Sequence, residues 1–375
     1  MRRGPRKDGR GRPGARSTGL REVAREAWRD IASGAAWAVT GAVVLAVLLG
    51  GVVGLRSAAV AKDVRAAAVF VTSGAATTVQ RAERRIDGRV CDALADTEGV
   101  VASGALRRLE VGTVPAALPG SAVPTYEVTA GLLGVLGVTG RTGAAGVVVS
   151  SSVHDALGLD PGDPLVTTDG RGTEVAAVYD HPDDGRDPDL EYALLAPTVD
   201  DGKPFDACWV TVWPQRDDTP ALLRRAVLPG TGADDEDRPT VGQLNPRLGA
   251  VFVPAASGSA TIPFGAAALT GLTVGGAAVA RRRLALASDL HVGVPRSAQV
   301  LGVVLQHLVW GAVGALVAAG VAVVLVRGLP AGDAVPIVLE AAATSVLGLV
   351  AVLVGGAVAA VAVRERSLHR YFRSR

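Results

Sequence analysis

The chain has 375 residues, of which 49% are hydrophobic, and a formal net charge of only +2. That near-neutral total hides an asymmetry, because residues 1–30 carry +6 whereas residues 56–260 carry −10. Four segments reach the about 20 mostly apolar residues that a membrane-spanning helix needs. This composition excludes a wholly soluble protein and predicts a polytopic membrane protein with one soluble domain of about 200 residues.

The residues before the first apolar segment are strongly basic. Residues 1–19 are rich in Arg, Gly and Pro and have no apolar period, which predicts a disordered cytoplasmic tail. We expect this tail to lie against anionic lipid of the bilayer and to bind no nucleic acid. Residues 20–30 place Val23 and Ala27 on one helical face and arginines on the other, which predicts an amphipathic helix on the membrane surface.

The apolar segments predict four transmembrane helices. The first is longer than the apolar region of a cleavable signal peptide and follows a long basic tail, so we interpret it as a signal anchor. The second is rich in Gly and Thr, but no charge interrupts it and its length is sufficient. The predicted order is 31–55 (first span), 56–260 (soluble domain), 261–280 (second span), 281–298 (basic loop), 299–326 (third span), 327–333 (short outer loop), 334–363 (fourth span) and 364–375 (basic tail).

Charge distributes these segments between the two sides of the membrane. Residues 281–298 carry +3 and residues 364–375 carry +4. Segments rich in Arg and Lys stay in the cytoplasm, whereas a long domain is translocated largely regardless of its charge. Four spans put the basic segments and both termini in the cytoplasm of a multi-pass plasma-membrane protein, with residues 56–260 extracytoplasmic. Without the second span, two basic segments would lie on the outer side.

The soluble domain is predicted to be mixed α+β. After Arg56 the sequence stays helix-like, so the first span is expected to continue outward as a stalk. Gly146–Tyr179 predicts a strand, a short helix capped by Ser151 or Ser152, and a hairpin. The remaining elements are predicted as an amphipathic helix (84–98), a strand and turn (99–111), an exposed acidic loop (180–189), a strand (207–213), a helix (219–228) and a polar linker (230–238).

Arginine and cysteine usage bear on the source and the compartment of the protein. The chain has 35 Arg but three Lys, with 47 Gly, which is typical of a high-GC genome such as that of an actinobacterium. Cys91 and Cys208 both fall in the domain predicted to be extracytoplasmic, where oxidising conditions allow a disulfide. One bridge between them and two unpaired buried thiols are both compatible with the sequence.

Four features, in this order, resemble the FtsX/MacB-like permease subunits of ABC transporters. REVAREAWRDI before the first span resembles that family's surface helix, and the large domain between the first two spans has the family's placement. VVVSSSVHDALGLDPGDPLVT is similar to the strand, helix and turn pattern of the family's periplasmic core domain. RRR followed by LHVGVPRSAQV resembles its cytoplasmic loop, with Gly293, Arg296, Gln299 and Val300 at the matching positions.

The resemblance implies a permease subunit that works with a separate cytoplasmic ABC ATPase and with a second, identical or similar permease subunit. In the MacB-like group, ATP-driven closure of the dimer moves the extracytoplasmic domains, and the output is efflux, lipoprotein handling or activation of a cell-wall hydrolase. The family loop usually carries a Glu soon after its arginines, where this chain has Ala285, Leu286 and Ala287. The loop residues implied in contact with the ATPase are Arg281, Arg282, Arg283, Gly293, Arg296 and Gln299.

The chain carries no motif for nucleotide binding or catalysis. A P-loop needs a Lys within GxxxxGK[ST], and the three lysines, Lys7, Lys62 and Lys203, all lie outside such a context. We therefore expect no enzyme activity and no cofactor in this chain, with ATP and Mg²⁺ bound by the partner ATPase. The serines that precede His154 are explained by helix capping rather than by a catalytic triad.

Two polar groups are further candidate sites. His181 with Asp180, Asp183 and Asp184 offers ligands for Ca²⁺, but a solvated loop explains these residues as well, and we predict no metal site. Glu340 is the one acid within an apolar segment, and an acid there is a functional candidate by default. It lies near the predicted outer end of the fourth span, so we expect its carboxylate to reach the interface.

The sequence thus predicts a membrane-embedded permease subunit, with an unidentified extracytoplasmic protein or substrate as a further partner. The alternative is a membrane-anchored receptor or scaffold that transports nothing and uses its extracytoplasmic domain to bind a partner. The departure of the basic loop from the family pattern favours this alternative. A neighbouring gene for a Walker-type ATPase would favour the permease.

Overall fold

The computed structural model describes residues 19–34, 36–138, 146–199, 201–229, 238–256, 258–259 and 261–364. These residues divide into two compact units. The helical unit comprises the described residues up to Arg65 and from Ala255 onward, and the α/β unit comprises those from Ala66 to Pro254. Most of the predicted N-terminal tail (1–19), C-terminal tail (364–375) and polar linker (230–238) lies outside the described residues.

Within the described residues the α-helices fall into two classes, five of 13 to 35 residues and four of five to seven residues. In chain order they are α1 (Leu20–Ala32), α2 (Ala38–Thr72), α3 (Gly88–Ala93), α4 (Ala130–Val135), α5 (Ser151–Leu157), α6 (Thr219–Leu223), α7 (Thr261–His291), α8 (Arg296–Leu325) and α9 (Ala331–Ala362).

Four of the long helices, α2, α7, α8 and α9, are long and apolar enough to cross a membrane. Each has 30 to 35 residues, which corresponds to about 45 Å or more at 1.5 Å per residue and exceeds the about 30 Å of a hydrocarbon core. The α8 and α9 helices agree with the predicted third and fourth spans to within three residues at each end. The four-helix part of the predicted fold class is therefore present.

The α2 helix begins at Ala38, seven residues after the predicted start of the first span. A turn separates it from α1, and in this turn Gly34 (φ 77°) and Trp37 (φ 52°) both adopt left-handed backbone conformations. From Ala38 the helix runs unbroken to Thr72, so the helical continuation predicted beyond Arg56 is observed.

The predicted basic loop 281–298 is mostly helical, which corrects the sequence interpretation. The α7 helix continues through the three arginines to His291, and α8 begins at Arg296, so the connection shrinks to residues 292–295. The physical reason is local propensity, because the residues from Arg281 to His291 include good helix formers such as Arg, Leu and Ala, with neither Gly nor Pro. The first breaker is Gly293, with a φ of 94°.

The amphipathic character predicted for residues 20–30 is observed, but α1 has a protein partner. Val23 and Ala27 are buried, and Val23 approaches Gly302 of α8. Trp28, the next residue after Ala27, is 63% exposed. The helix therefore packs one narrow stripe on α8 and leaves its tryptophan outside that contact.

The α7 and α9 helices cross in backbone contact. A Cβ atom built on Gly275 would lie 2.2 Å from the carbonyl oxygen of Val352, and one on Gly271 would lie 2.3 Å from that of Gly348. No real Cβ can approach so closely, so only glycine permits this crossing. Small residues at a helix interface allow such close approach in membrane proteins, where dispersion contacts replace the hydrophobic effect between helices.

The α/β unit contains a nine-stranded mixed sheet in the order β5-β6-β4-β7-β3-β2-β8-β1-β9. The β3/β7 and β4/β6 pairs are parallel, and the other neighbouring pairs are antiparallel. Strands and short helices in one unit agree with the predicted mixed α and β content. The strands are β1 (Thr77–Ile86), β2 (Val100–Arg108), β3 (Thr125–Val128), β4 (Val147–Ser150), β5 (Pro164–Val166), β6 (Gly172–Tyr179), β7 (Leu194–Pro197), β8 (Phe205–Val212) and β9 (Thr240–Gln243).

The sheet is covered by apolar side chains on both faces. Along β8, Ala207 and Trp209 join one buried cluster while Cys208 and Val210 join another, as the two-residue period of a strand requires. Cys91 of α3 and Cys208 of β8 are joined by a disulfide across 117 positions of sequence. The bridge fastens α3 to the sheet on the second of these faces.

The helix predicted over residues 84–98 is wrong at its start. Residues Arg84 to Ile86 complete β1, and the α-helix begins only at Gly88, followed by a short 3-10 turn. The side chain of Asp87 accepts hydrogen bonds from the backbone amides of Arg89 and Val90, which fixes this start. This N-cap therefore divides the predicted helical segment into the end of β1 and a shorter α-helix.

We predict that Gly275→Ala destabilises the helical unit by about 2 kcal/mol, because the added methyl group collides with a carbonyl oxygen and forces α7 away from α9. The measurement is unfolding of the full chain in mixed micelles with increasing dodecyl sulfate. The matched control is Gly276→Ala, one residue along the same helix, where the nearest heavy atom to a new Cβ is 3.9 Å away. Equal effects of the two substitutions would contradict the backbone crossing.

Candidate functional site

The candidate site is the end of the helical unit that holds α1, the last turns of α7 and the start of α8. We call it the basic end, because Arg281, Arg282, Arg283 and Arg296 all lie there. The structure thus brings together the residues that the sequence singled out between positions 281 and 299. It also gives each of them a different environment.

Arg282 is held in a polar network that joins three helices. Its guanidinium donates to the carboxylate of Asp30 of α1 at 2.7 Å and to the side-chain oxygen of Gln306 of α8 at 2.5 Å. The amide nitrogen of Gln306 donates to the same carboxylate at 2.9 Å. Each polar group in this triad has a partner, which is what a half-buried network needs to be stable. Arg282 therefore positions helices rather than offering a free cation.

Sequence reasoning missed Asp30 and Gln306. Asp30 is 252 positions from Arg282 and 276 from Gln306, and Arg282 and Gln306 are themselves 24 positions apart. No local spacing therefore connects the three residues. A signal was nevertheless present, because Gln306 is a polar side chain within an apolar span and such groups usually have an internal partner.

Gln299 has a structural role at the connection between α7 and α8. It is buried, and its side-chain amide donates to the backbone carbonyl of Leu286 at 2.6 Å. This bond ties the first turn of α8 to the last turns of α7. Gln299 thus positions the connection, and its predicted contact with a partner protein stays a prediction.

The connection itself is exposed. Every residue from His291 to Ser297, here named the exposed turn, is exposed, and the side chains of Val292 and Val294 are 76% and 36% accessible. The amide of Val294 donates to the carbonyl of Asp289 at 3.0 Å, which closes the turn against the end of α7. The exposed turn therefore presents two valines and Arg296 on a fixed backbone.

The other two arginines of α7 differ from Arg282. Arg281 is exposed, with its guanidinium carbon 6.0 Å from the ring centroid of Trp37. Arg283 is half-buried. The three consecutive arginines therefore have different environments, because successive residues point about 100° apart on a helix. Arg281 lies over a ring, Arg282 belongs to a hydrogen-bonded network, and Arg283 is half-buried.

A second polar cluster lies at the other end of α2 and α9. Glu340 is half-buried and accepts a hydrogen bond from Arg56 at 3.0 Å, while the same guanidinium donates to the carbonyl of Ala256 at 2.9 Å. Asp63 accepts from the amides of Ala255 and Ala256. The candidate Glu340 is therefore one partner of an ion pair rather than an isolated carboxylate that reaches the interface alone.

Ser150, before α5, and His154, within it, both make hydrogen bonds inside the α/β unit. Ser150, not Ser151 or Ser152, is the N-cap of α5, and its hydroxyl accepts from the amide of Val153 at 3.3 Å. His154 instead contacts the carboxylates of Asp155 at 3.0 Å and Asp160 at 3.1 Å. Those hydrogen bonds raise the pKa of this exposed imidazole.

The loop predicted to be exposed, residues 180–189, contains one buried residue. The ring of His181 is buried, with its Nε2 2.7 Å from the carbonyl oxygen of Asp187, and its Nδ1 has no hydrogen-bond partner among the described residues. Burial lowers the pKa of His181, and the nearby Arg186 lowers it further. No group of three or more potential metal ligands lies together in the part of the chain that the structure describes.

Comparisons with known proteins bear on part of the chain. No protein-family model and no curated protein sequence matches the chain. Part of the chain is similar to the crystal structure of the periplasmic region of MacB from Actinobacillus actinomycetemcomitans, with 12% sequence identity and a TM-score of 0.31, over 40% of this chain and 81% of that one. A TM-score of this size establishes neither a shared fold nor a shared function.

We predict that Asp30→Ala lowers the free energy of unfolding by about 1–2 kcal/mol, because it leaves the half-buried guanidinium of Arg282 and the amide of Gln306 without their shared acceptor. Partial solvent screening keeps the loss at this level. The control is Glu26→Ala, which removes an exposed carboxylate from the same helix and should cost less than about 0.5 kcal/mol. Thermal unfolding of both full-length variants in detergent tests the network, and equal midpoints would contradict it.

We predict that His181 makes the protein less stable as the pH falls below about 6.5. The folded-state pKa lies below the ordinary value of 6.5 because of burial, so the unfolded chain binds more protons in that window. The stabilisation is complete above pH 6.5 and is lost as the pH falls toward the folded pKa. His181→Gln should flatten this part of the stability–pH curve, measured by thermal unfolding between pH 7.5 and pH 5. His154→Gln is the control, since the raised pKa of His154 gives the opposite slope.

Proposed function

We propose that the chain is the permease subunit of an ABC-type complex, in which it couples a separate cytoplasmic ATPase to movements of its own extracytoplasmic domain. The observation that carries the proposal is the exposed turn at the basic end of a bundle of four apolar helices. It presents accessible valines, which a soluble partner can cover, on a backbone fixed by hydrogen bonds. The order of motifs along the sequence, which resembles the FtsX/MacB-like family, supports the same function.

The orientation in the membrane follows from charge. The basic end carries a strong positive excess, and such segments remain in the cytoplasm. The α/β unit then lies outside, with the N- and C-termini inside. The Cys91–Cys208 disulfide supports this orientation, because disulfides persist in oxidising compartments and are rare in the cytoplasm.

The geometry of the exposed turn suits a mechanical contact. Because α7 is helical through the arginines, a force applied to the turn acts on the whole helix and not on a flexible loop. Hydrogen bonds of Arg282 and Gln299 brace the last turns of α7 against α1 and α8. We assign partner contact to Val292, Val294 and Arg296, and internal bracing to Arg282 and Gln299.

The proposed complex needs further chains. The ATPase would bind ATP and Mg²⁺, since this sequence has no P-loop, and this chain itself would catalyse nothing. A second permease subunit, identical or similar, would complete the transporter. The output would be efflux, lipoprotein handling or activation of a cell-wall hydrolase, through an extracytoplasmic protein or substrate that remains to be identified.

One observation favours a second function, that of a membrane-anchored receptor or scaffold. Ala285 is exposed on α7 at the level where the family's cytoplasmic segment carries an acid. An ATPase that needs this carboxylate for binding would not find it in this chain. In that case the α/β unit would bind a partner outside the cell and no ATPase would associate.

We predict that Val292→Asp reduces the recovery of a P-loop ATPase with the affinity-purified full chain at least fivefold, because it places a charge at the most accessible apolar side chain of the exposed turn. Quantitative mass spectrometry of membranes from the native host measures the ratio of ATPase to bait. Scrambling all of residues 281–298 would be uninformative, since it also destroys the bracing by Arg282.

The matched control is Val251→Asp, which makes the same substitution at a valine of the α/β unit that is 68% exposed. It should leave ATPase recovery unchanged. If the wild-type chain recovers no P-loop protein, the receptor or scaffold is favoured. If Val292→Asp and wild type recover the same amount, the exposed turn is not the contact.

A further inference from the structure

A groove of about 250 Å³ runs between α2 and α7 at the basic end. Its walls are apolar or small, with Gly41 and Val44 on α2 and Ala277 on α7, and the ring of Trp310 forms its floor. A Cβ on Gly41 would lie 3.1 Å from that ring, so the glycine lets the indole sit directly beneath the groove. That volume is many times the roughly 10–15 Å³ that one water needs, so a segment of hydrocarbon chain fits.

Among the described residues that line the groove, one, at its mouth, is a cation. Arg281 is exposed there and lies over the ring of Trp37, which is itself 59% exposed. Arg282, its neighbour in sequence, is neutralised by Asp30. Among the described residues, by contrast, no carboxylate forms an ion pair with Arg281. The positive charge at the mouth is therefore available to an external anion.

Trp37 is held at this mouth in an uncommon backbone conformation. Its φ of 52° is left-handed, which few residues other than glycine adopt. Such conformations persist where the surrounding structure requires them, often at binding sites. Here the turn between α1 and α2 directs an exposed indole toward the guanidinium of Arg281.

We propose that this groove binds one anionic phospholipid of the bilayer, with the headgroup phosphate on Arg281 and an acyl chain between α2 and α7. A guanidinium can donate two parallel hydrogen bonds to a phosphate, and indole rings favour the headgroup level of a membrane. The groove below supplies the apolar surface for the chain. A phospholipid therefore matches the site at both levels. Its phosphate meets the arginine at the mouth, and its acyl chain meets the apolar walls below.

A second copy of this chain fits the same surface less well. Contact through the groove about a two-fold axis is isologous, so it would bring Arg281 of each copy toward the other. No described carboxylate at the mouth would offset that repulsion. Charge therefore favours the anionic lipid as the occupant. The proposal requires that α2 and α7 lie in a membrane, but it is independent of any ATPase.

The test is native mass spectrometry of the purified full chain with added phosphatidylglycerol or phosphatidylcholine that carry identical acyl chains. We expect one phosphatidylglycerol to be retained at least fivefold more than phosphatidylcholine. Arg281→Gln should remove this preference, while Arg29→Gln, at an exposed arginine of the same end outside the groove, should preserve it. Ala277→Leu should reduce the retention of both lipids by filling the groove. Inorganic phosphate at the same concentration should not displace the lipid.

Three results would overturn the proposal. The first is equal retention of the two lipids by wild type, and the second is an unchanged preference in Arg281→Gln. The third is near-complete cross-linking of Thr40→Cys into a dimer in native membranes, since Thr40 lines the groove and a second copy would then cover it. The lipid measurement involves no ATPase, so its failure is distinguishable from a failure of the Val292→Asp experiment.

Discussion

The backbone contact between α7 and α9 is the constraint on which the helical unit depends. Glycines on both helices let the two backbones meet where any other residue would collide with a carbonyl oxygen. In a bilayer, this close packing replaces the hydrophobic effect that would hold the same helices together in water. It fixes the height and rotation of α7. Because α7 continues as one helix to His291, it also fixes the position of the exposed turn.

The polar side chains of the helical unit strengthen this arrangement at two levels. At the basic end, Asp30 joins Arg282 and Gln306. In the middle, the ring nitrogens of His307 lie 2.8 Å from the carbonyl of Val303 and 3.2 Å from that of Gly275, so the histidine links α8 to the glycine crossing. An apolar medium leaves no water to bond such groups, and each therefore needs a partner within the protein.

Local signals in the sequence predicted most of the secondary structure, whereas contacts between distant residues were not predicted. Apolar length predicted four spanning helices, and the two-residue and helical periods predicted strands and helices in the soluble part. The sequence places the end of the second span at Ala280, because three arginines follow it. Charged residues end the membrane-spanning segment, but they do not end the helix. Gly293 and Pro295 end the helix, and their breaking effect was readable in the sequence. The hydrogen bond between Arg282 and Asp30 could not be read from the sequence, because no spacing rule connects residues 252 positions apart.

The two polar clusters lie at opposite ends of α7, and this position bears on how the helical unit responds to force. Arg282 lies 21 residues after Thr261, the first residue of α7, which corresponds to about 32 Å at 1.5 Å per residue. Before its start, Ala255 and Ala256 are bonded to Asp63 and Arg56 of α2, and near its end Arg282 is bonded to α1. A push on the exposed turn therefore meets a helix that is bonded to α1 near its end and follows a segment bonded to α2. Within the helical unit it must either move α7 together with α1 and α2 or break charge-assisted hydrogen bonds, which are the stronger kind. A braced helix of this type transmits displacement, whereas a loop at residues 281–298 would have absorbed it.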